Sequence, residues 1–188
     1  SAKNIQFSDS GYASFDVYKN QEFISKINLN VTGAHNISNA LAVFAGAMEL
    51  GIDAKTIAEG ISTFTGTKRR FEYKGTVNGA SVYDDYAHHP TEISATLKAA
   101  ANIPHNKTWC VFQPHTYTRT SALLNDFASS LSLADNVIIT DIYAAREKNT
   151  IGIHAKDLAE KIPGAVYISD FNEIASYIKE KASENDIV

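Results

Sequence analysis

The residues best suited to chemistry in this sequence lie within nine positions. Residues 84–92 read Asp-Asp-Tyr-Ala-His-His-Pro-Thr-Glu. The two aspartates and two histidines are metal-ligand types, which allows a metal centre. The segment could instead bind a nucleotide substrate: an aspartate would accept hydrogen bonds from ribose hydroxyls, Tyr86 would stack on a base, and His88 would orient a carboxylate. Turn formation and helix capping explain one or two of these polar residues, but not all five.

A predicted strand and a predicted helix position this segment. Residues 79–83 are strand-like and follow Asn78 and Gly79, a pair typical of hairpin turns. Pro90 suits the first position of a helix, and Glu92 complements the positive end of the helix dipole. In open α/β sheets, ligands bind where strands end and helices begin. The location therefore favours a functional site.

Two other loops follow predicted strands. Residues 112–120 read Phe-Gln-Pro-His-Thr-Tyr-Thr-Arg-Thr and are expected at the same sheet edge as the first segment. Arg119 at a helix start opposes the helix dipole, so it suits a position beside a bound carboxylate or phosphate better than bare solvent. A solvated surface arginine is the alternative. Residues 141–148 are also charged, and we expect them to form a mobile rim loop.

Two segments further upstream could contact a nucleotide. Residues 32–40 lead from a glycine turn into a helix, where Asn36 could pair with an adenine edge or act as an N-cap. Residues 68–70, Lys-Arg-Arg, are either a solvated linker or the source of an arginine that reaches a phosphate or ribose. The sequence contains neither G-x-x-x-x-G-K-[ST] nor G-x-G-x-x-G. The phosphates of a bound ATP would therefore be held mainly by residues outside this chain.

Hydrophobic periodicity predicts an α/β fold. The first thirty residues alternate as a three-stranded antiparallel meander, followed by a helix at about 36–50 and a second helix capped by Asp53. From residue 71, strands alternate with helices, which implies a doubly wound, mostly parallel sheet with helices on both faces. The predicted strands and helices are 71–77, 81–84, 91–102, 107–112, 120–133, 136–141, 154–161, 165–168 and 172–182. We predict a domain boundary near residues 66–69.

Composition narrows the class of protein. The chain has 188 residues, is 44% hydrophobic and 20% charged, and carries a net charge of -4, which argues against nucleic-acid binding. No apolar run approaches a membrane span. Cys110, the single cysteine, is expected to be a buried strand residue without a partner, consistent with a cytoplasmic location. The small N-terminal part and the strand-like run at residues 186–188 lead us to expect a piece of a longer protein.

Taken together, the motifs resemble the Mur ligase family along essentially the whole chain. They are His-Asn-Ile-Ser-Asn-Ala-Leu-Ala at 35–42, Arg-Arg-Phe-Glu at 69–72, the run at 84–92, Phe-Gln-Pro-His at 112–115 and Thr-Arg-Thr at 118–120. The resemblance implies an ATP-dependent, amide-forming ligase of peptidoglycan synthesis. Its substrates would be UDP-N-acetylmuramate, L-alanine and ATP, with Mg²⁺ as cofactor and an acyl phosphate as intermediate.

The resemblance also implies a domain arrangement. Residues 1–67 would be the end of a central ATP-binding domain, and residues 68–188 a C-terminal Rossmann-like ligand-binding domain. The partners would be the enzyme's own N-terminal and central domains, with no nucleic acid and no membrane. The phosphate loop, the Mg²⁺ ligands and a modified lysine would lie upstream, and a Gly-Ala-Gly-Asp segment would follow Val188. We therefore expect the isolated chain to be inactive.

Seven side chains receive roles from the resemblance. His88 and Arg119 would position the carboxylate-bearing substrates. The side chains implied at the ATP site are Asn36 as the adenine contact, Asn39 supporting the helix start, Arg70 and Asp85 at the ribose or phosphates, and Tyr86 flanking the nucleotide. None of the seven would ligate a metal. Some family members have arginine where this chain has Thr116, so a clamp of two arginines is not expected. The alternatives are a metal-dependent phosphoesterase and a non-catalytic nucleotide-binding or interaction domain.

Overall fold

The computed structural model describes all residues, 1–188, which divide into two compact units. The first unit comprises residues 1–70 and 98–104, and the second comprises residues 71–97 and 105–188. No helix of the chain combines the length and the hydrophobicity needed to cross a lipid bilayer.

The first unit is built around an antiparallel meander. Its elements are β1 (Ala2–Phe7), β2 (Tyr12–Lys19), β3 (Glu22–Thr32), α1 (His35–Glu49) and α2 (Ala54–Thr63). Strand β2 pairs with both neighbours, and its alternate residues Ala13, Phe15 and Val17 are buried in a core shared with the helices. Helix α2 begins after Asp53, whose carboxylate accepts a hydrogen bond from the Thr56 amide. The predicted meander and both predicted helices are confirmed.

The second unit contains most of the α/β layer. Its elements are β4 (Glu72–Val77), β5 (Ala80–Asp84), most of α3 (Pro90–Ala100), β6 (Trp109–Phe112), α4 (Tyr117–Ala122), α5 (Leu124–Leu131), β7 (Asn136–Ile139), α6 (Ala155–Ala159), β8 (Val166–Tyr167) and α7 (Phe171–Lys181). Strands β4 and β5 form an antiparallel hairpin, whereas β6, β7 and β8 are parallel. The hairpin turns at Asn78 and Gly79, which both have positive φ, as the predicted turn requires.

Ile187 joins the two sheets of the second unit. It forms parallel bridges with Ser81 in β5 and with Thr108, the residue before β6. The Ile187 amide donates to the Lys107 carbonyl over 2.9 Å, and the Trp109 amide donates to the Ile187 carbonyl over 2.7 Å. The strand order is therefore β4, β5, the segment at Ile187, β6, β7 and β8. The predicted Rossmann-like, mostly parallel sheet is confirmed.

Helices cover both faces of this sheet, as predicted. Adjacent residues of β7 point in opposite directions because side chains alternate along a strand. Val137 and Ile139 belong to the core formed with α5 and α6, while Ile138 belongs to the core formed with α7. Ile138 and Ile139 are 1% and 0% exposed, so both faces are fully packed at this strand.

A pair of conservative substitutions tests this two-sided packing. We expect Ile138→Val and Ile139→Val each to lower the free energy of unfolding by about 1 kcal/mol, since each removes one buried methylene. Ile151→Val is the matched control because Ile151 is 53% exposed. Unfolding in urea can be followed by fluorescence of Trp109, the only tryptophan. A neutral effect at either β7 position would show that its face is not packed.

Cys110 lies in β6 as predicted. It is a free cysteine, and its partly buried side chain packs against the core of α5 and α6. Burial raises the pKa of the Cys110 thiol to about 12, because the thiolate would lose its hydration. The thiol is therefore protonated at neutral pH and is a packing group.

One predicted helix is divided in two. Instead of a single helix over 120–133, the chain forms α4 and α5, which meet at Leu123 with φ −113° and ψ 21°. The hydrogen bonds continue across the junction: the Leu123 amide donates to Arg119 and the Phe127 amide donates to Leu123. Arg119 therefore lies on a separate helix of six residues, whose start is set by the loop before it.

Candidate functional site

The loops after β5, β6 and β7 lie at the carboxyl ends of their strands. Beyond β6 and β7 the pairing resumes, because His115 and Tyr143 form a parallel bridge. The Thr116 amide donates to the Tyr143 carbonyl over 2.9 Å, and the Tyr143 amide donates to the Pro114 carbonyl over 2.8 Å. The second and third polar segments of the sequence are thus held side by side.

Four aromatic rings connect these loops. The centroid of Tyr86 lies 5.4 Å from that of His88, His88 lies 6.3 Å from His115, and His115 lies 5.4 Å from Tyr143. We call these four residues the ring row. Tyr86 and Tyr143, at its two ends, are 50% and 55% exposed. The ring row brings the predicted site residues Tyr86 and His88 to the segment that carries Arg119.

Hydrogen bonding determines which nitrogen of His88 faces a ligand. Its Nδ1 lies 2.9 Å from the Tyr86 carbonyl oxygen. A carbonyl can only accept, so Nδ1 carries a hydrogen. The same nitrogen is 3.6 Å from Oε2 of Glu92. Nε2 is therefore the His88 atom that can bind a substrate: it accepts when the ring is neutral and donates when the ring is protonated.

His89 has a structural role. Oε2 of Glu92 accepts from the amides of His88 and His89 over 3.0 and 3.2 Å, and Nδ1 of His89 accepts from the Thr91 amide over 3.3 Å. These reciprocal bonds are a capping arrangement at the start of α3, with Pro90 as its first residue. The helix-cap interpretation is thus correct for His89 and Glu92.

The Asp85 carboxylate is bound to the backbone. Oδ2 accepts from the Phe71 amide and Oδ1 accepts from the Ala87 amide, each over 2.7 Å. Phe71 has φ +48°, an unusual value for a bulky residue, and its ring stacks on Tyr83 with 4.3 Å between centroids. Asp85 therefore fixes the start of β4 against the loop after β5. Each oxygen still has a lone pair that could accept from a ligand.

A metal centre in this segment is not supported by the geometry. No three side chains among the histidines, cysteines, aspartates and glutamates of the chain converge as a metal ion would need. Within the segment, the oxygens of Asp85 are bound to amides and His89 caps α3. Asp85 and His89 thus serve different local purposes.

Arg119 has an unsatisfied donor. Its Nη1 is buried without a hydrogen-bond partner, and so is Nδ1 of His115, four residues earlier on the same segment. Leaving a buried donor unpaired costs about 1–3 kcal/mol, and more for a charged group. An anion bound here would remove that cost for Arg119. The arrangement is therefore suited to a carboxylate or a phosphate.

The loop at 141–148 is tied to α4. The amide and hydroxyl of Thr118 donate to the Glu147 carboxylate over 2.9 and 2.5 Å. The hydrogen bond from the Thr118 hydroxyl, followed by that from its amide, lowers the pKa of Glu147. Glu147 is therefore ionised at neutral pH. This anchoring was not anticipated from the sequence, which predicts a mobile rim there.

In the first unit, Asn36 and Asn39 form a pair at the start of α1. The Asn36 amide group donates to the Thr32 carbonyl over 2.7 Å, and the Asn39 amide group donates to Oδ1 of Asn36 over 3.0 Å. The N-cap interpretation of Asn36 is wrong, because the N-cap is Ala34. Asn36 keeps one N–H and one lone pair in a fixed orientation, which suits the edge of a planar ring.

Arg70 stands between two residues in left-handed conformations. Arg69 has φ +57° and Phe71 has φ +48°. The Arg70 side chain is exposed. Its predicted contact with ribose or phosphate remains a prediction.

Two residues of the site were not selected from the sequence. His115 was part of the second polar segment, but no local feature distinguished it from its neighbours. Glu147 bonds to Thr118 across 29 positions, a contact that no local pattern reveals. Only the pairing of the loops after β6 and β7 explains their proximity.

Comparison with known proteins shows the family of the chain. The family model described as Mur ligase, glutamate ligase domain, matches residues 69–188. UDP-N-acetylmuramate–L-alanine ligase from Clostridium acetobutylicum is 52% identical, with 100% of this chain and 42% of the relative covered. The same values hold for the ligase of that name from Caldanaerobacter subterraneus. The chain thus spans about two fifths of the length of these relatives.

A solved structure has the same fold. The crystal structure of the UDP-N-acetylmuramate-alanine ligase from Thermotoga maritima matches with a TM-score of 0.80 and 29% identity, over 99% of this chain and 40% of that one. The family match covers well over half of the chain and includes the ring row and Arg119. The chain therefore belongs to the Mur ligase family.

Proposed function

We propose that this chain is the carboxyl-terminal part of an ATP-dependent ligase that joins L-alanine to UDP-N-acetylmuramate in peptidoglycan synthesis, in the cytoplasm. The observation that carries the proposal is the buried, unpartnered Nη1 of Arg119, which lies four residues after His115 of the ring row. It provides a positive group for a carboxylate at the carboxyl edge of the sheet. The relatives at 52% identity are ligases whose named substrates both carry a carboxylate.

Within this proposal, each part of the chain has a task. Residues 1–67 are the end of a central ATP-binding domain, and residues 68–188 are the ligand-binding domain. The lactyl carboxylate of the sugar receives a phosphoryl group from ATP, and the amine of L-alanine then attacks the acyl carbon and displaces phosphate. Arg119 and His88 hold carboxylate groups in place for these steps. Their contribution is positioning and charge stabilisation.

ATP fits the amide pair of the first unit. The remaining N–H and lone pair of Asn36 match the donor and acceptor on an adenine edge, and Asn39 fixes the orientation of that amide. Asp85 and Tyr86 belong to the same proposal as ribose and base contacts, as does Arg70 at the ribose or phosphates. Asp85 would use the lone pairs left over from its two amide bonds.

The Mg²⁺ ion of the proposed reaction is assigned to another part of the enzyme. No group of three acidic, histidine or cysteine side chains converges. We therefore assign no step of this chain to the ion, and its ligands belong to the proposed upstream part of the enzyme.

Replacing His88 tests the proposal directly. We expect His88→Ala in the full-length ligase to lower kcat/KM for a carboxylate-bearing substrate by about 10- to 30-fold, the effect of losing about 1.5–2 kcal/mol of hydrogen bonding. The KM for ATP should stay unchanged. Steady-state phosphate release, measured while UDP-N-acetylmuramate, L-alanine and ATP are varied in turn, gives the KM for each of the three substrates.

His89→Ala is the neighbouring control, since His89 caps α3 through its Nδ1. It should lower the melting temperature without a selective rise in one substrate's KM. If His88→Ala behaves as wild type for all three substrates, the assignment of His88 is wrong. If the wild-type full-length protein consumes no ATP with both substrates present, the proposed ligase activity itself fails.

A further inference from the structure

We propose that Glu147 is a positioning residue for Arg119, and that the loop at 141–148 acts as a brace for the substrate carboxylate site. This inference rests on the proposed function. Glu147 lies 28 positions after Arg119 in the chain. Its carboxylate accepts two hydrogen bonds from Thr118, the residue just before Arg119.

The loop at 141–148 holds the segment before Arg119 at several points. The Thr116 amide donates to the Tyr143 carbonyl, and the Tyr143 amide donates to the Pro114 carbonyl. Glu147 then accepts both the amide and the hydroxyl hydrogen of Thr118. The segment that leads to Arg119 is thus bound at Pro114, Thr116 and Thr118.

Thr116, in the segment that this loop holds, has an unusual backbone conformation. Thr116 has φ +67° and ψ 146°, a region that a β-branched residue adopts only when its surroundings require it. Thr116 also accepts from the Thr120 hydroxyl over 2.6 Å. Helix α4 has only six residues and no side-chain cap from its own N-cap residue. Glu147 supplies the missing acceptor for the amide of Thr118 from another loop.

The loop at 141–148 contains a turn just before Glu147. The Glu147 amide donates to the Ala144 carbonyl over 2.9 Å, and Ala145 has φ +53°. This turn directs Glu147 back towards α4. Glu147 is also ionised, because its bonds to Thr118 lower its pKa. A charged acceptor makes stronger hydrogen bonds than a neutral one, so it restrains the helix start more tightly.

The guanidinium of Arg119 depends on this restraint of the helix start. Its Nη1 is buried and has no protein partner, so nothing in the chain bonds that atom in place before a carboxylate arrives. No hydrogen bond fixes this atom, so its position depends on α4, the helix that carries Arg119. Loosening the helix start should therefore weaken carboxylate binding without removing a group that touches the substrate.

The test compares Glu147→Ala, Glu147→Gln and Thr118→Ala in the full-length ligase. We expect Glu147→Ala to raise the KM of one carboxylate-bearing substrate about tenfold, with the KM for ATP unchanged. Glu147→Gln should recover part of this, since an amide oxygen still accepts from the Thr118 amide. Glu160→Ala, the loss of an exposed glutamate in the same unit, is the control and should behave as wild type.

A double substitution separates positioning from general loss of structure. Glu147→Ala with Thr118→Ala should be no worse than Glu147→Ala alone, because the hydroxyl that Thr118→Ala removes donates to Glu147. The inference is overturned if Glu147→Ala leaves every KM unchanged, or if it raises all three together along with a lower melting temperature. An inactive wild-type enzyme would overturn the proposed function, and this inference with it.

Discussion

Arg119→Ala in the full-length ligase is expected to lower kcat/KM for a carboxylate-bearing substrate by about 10²-fold. Truncating one partner of a buried, hydrogen-bonded charge pair costs about 2–5 kcal/mol, and each 1.4 kcal/mol is a factor of ten. Arg119 is suited to such a pair because its Nη1 is buried and has no partner in the protein. The loss should appear mainly in the substrate KM if the contact exists in the ground state, and in kcat if it forms in the transition state.

Two further variants serve as comparisons for Arg119→Ala. Arg119→Lys keeps the charge but loses the planar fork, so it should recover only part of the activity. Lys161→Ala removes an exposed cation from the same unit and should have no effect. Activity of Arg119→Ala within twofold of wild type for all substrates would show that the Arg119 guanidinium does not bind a substrate.

Much of the fold followed from local sequence features. Asn78 and Gly79 specify a turn with two positive φ angles, and Pro90 after a strand specifies a helix start, so both appear at the predicted residues. Alternation in the first thirty residues likewise predicted the three strands of the meander. These features depend on neighbouring residues, and neighbouring residues are what a sequence shows.

The site was less predictable because its contacts are long-range. The bond of Thr118 to Glu147 depends on pairing between the loops after β6 and β7, which no local period encodes. The break at Leu123 has no proline or glycine to mark it. The Asp85 carboxylate was expected to face a nucleotide, but its bonds to the Phe71 and Ala87 amides show that it also has a structural task.

Asp186 carries the largest effect that we expect on folding. It is 3% exposed, and its carboxylate accepts from the amides of Lys107 and Ser183 and from the indole N–H of Trp109 over 3.0–3.1 Å. These bonds hold the segment at Ile187 between β5 and β6. Asp186→Ala would remove the acceptor of one buried donor, the Trp109 indole N–H, and of two partly buried amides. It should therefore lower the free energy of unfolding by about 2–4 kcal/mol.

The dependence on pH provides a second test of Asp186. Burial favours the neutral acid and opposes the shift, but the bonds from Ser183, Trp109 and Lys107 outweigh it and lower the pKa from its ordinary value of 3.8. Because the Asp186 pKa is lower in the folded state, the stabilisation is complete above about pH 4, near the pKa of an aspartate in the unfolded chain. It is lost as the pH falls through the pKa of Asp186 in the folded protein. The stability difference between wild type and Asp186→Asn should therefore be constant from pH 6 to 8 and should narrow below about pH 4.

Urea unfolding followed by Trp109 fluorescence measures this directly, because the only tryptophan is bonded to Asp186 and reports on the same unit. Trp109→Phe cannot serve as the control, since it removes the probe. Glu160→Ala can, because it removes an exposed carboxylate and should change stability by less than about 0.5 kcal/mol. If Asp186→Ala unfolds at the wild-type urea concentration, the segment at Ile187 is held by its backbone pairing with β5 and β6 alone, and the carboxylate contributes nothing to the sheet.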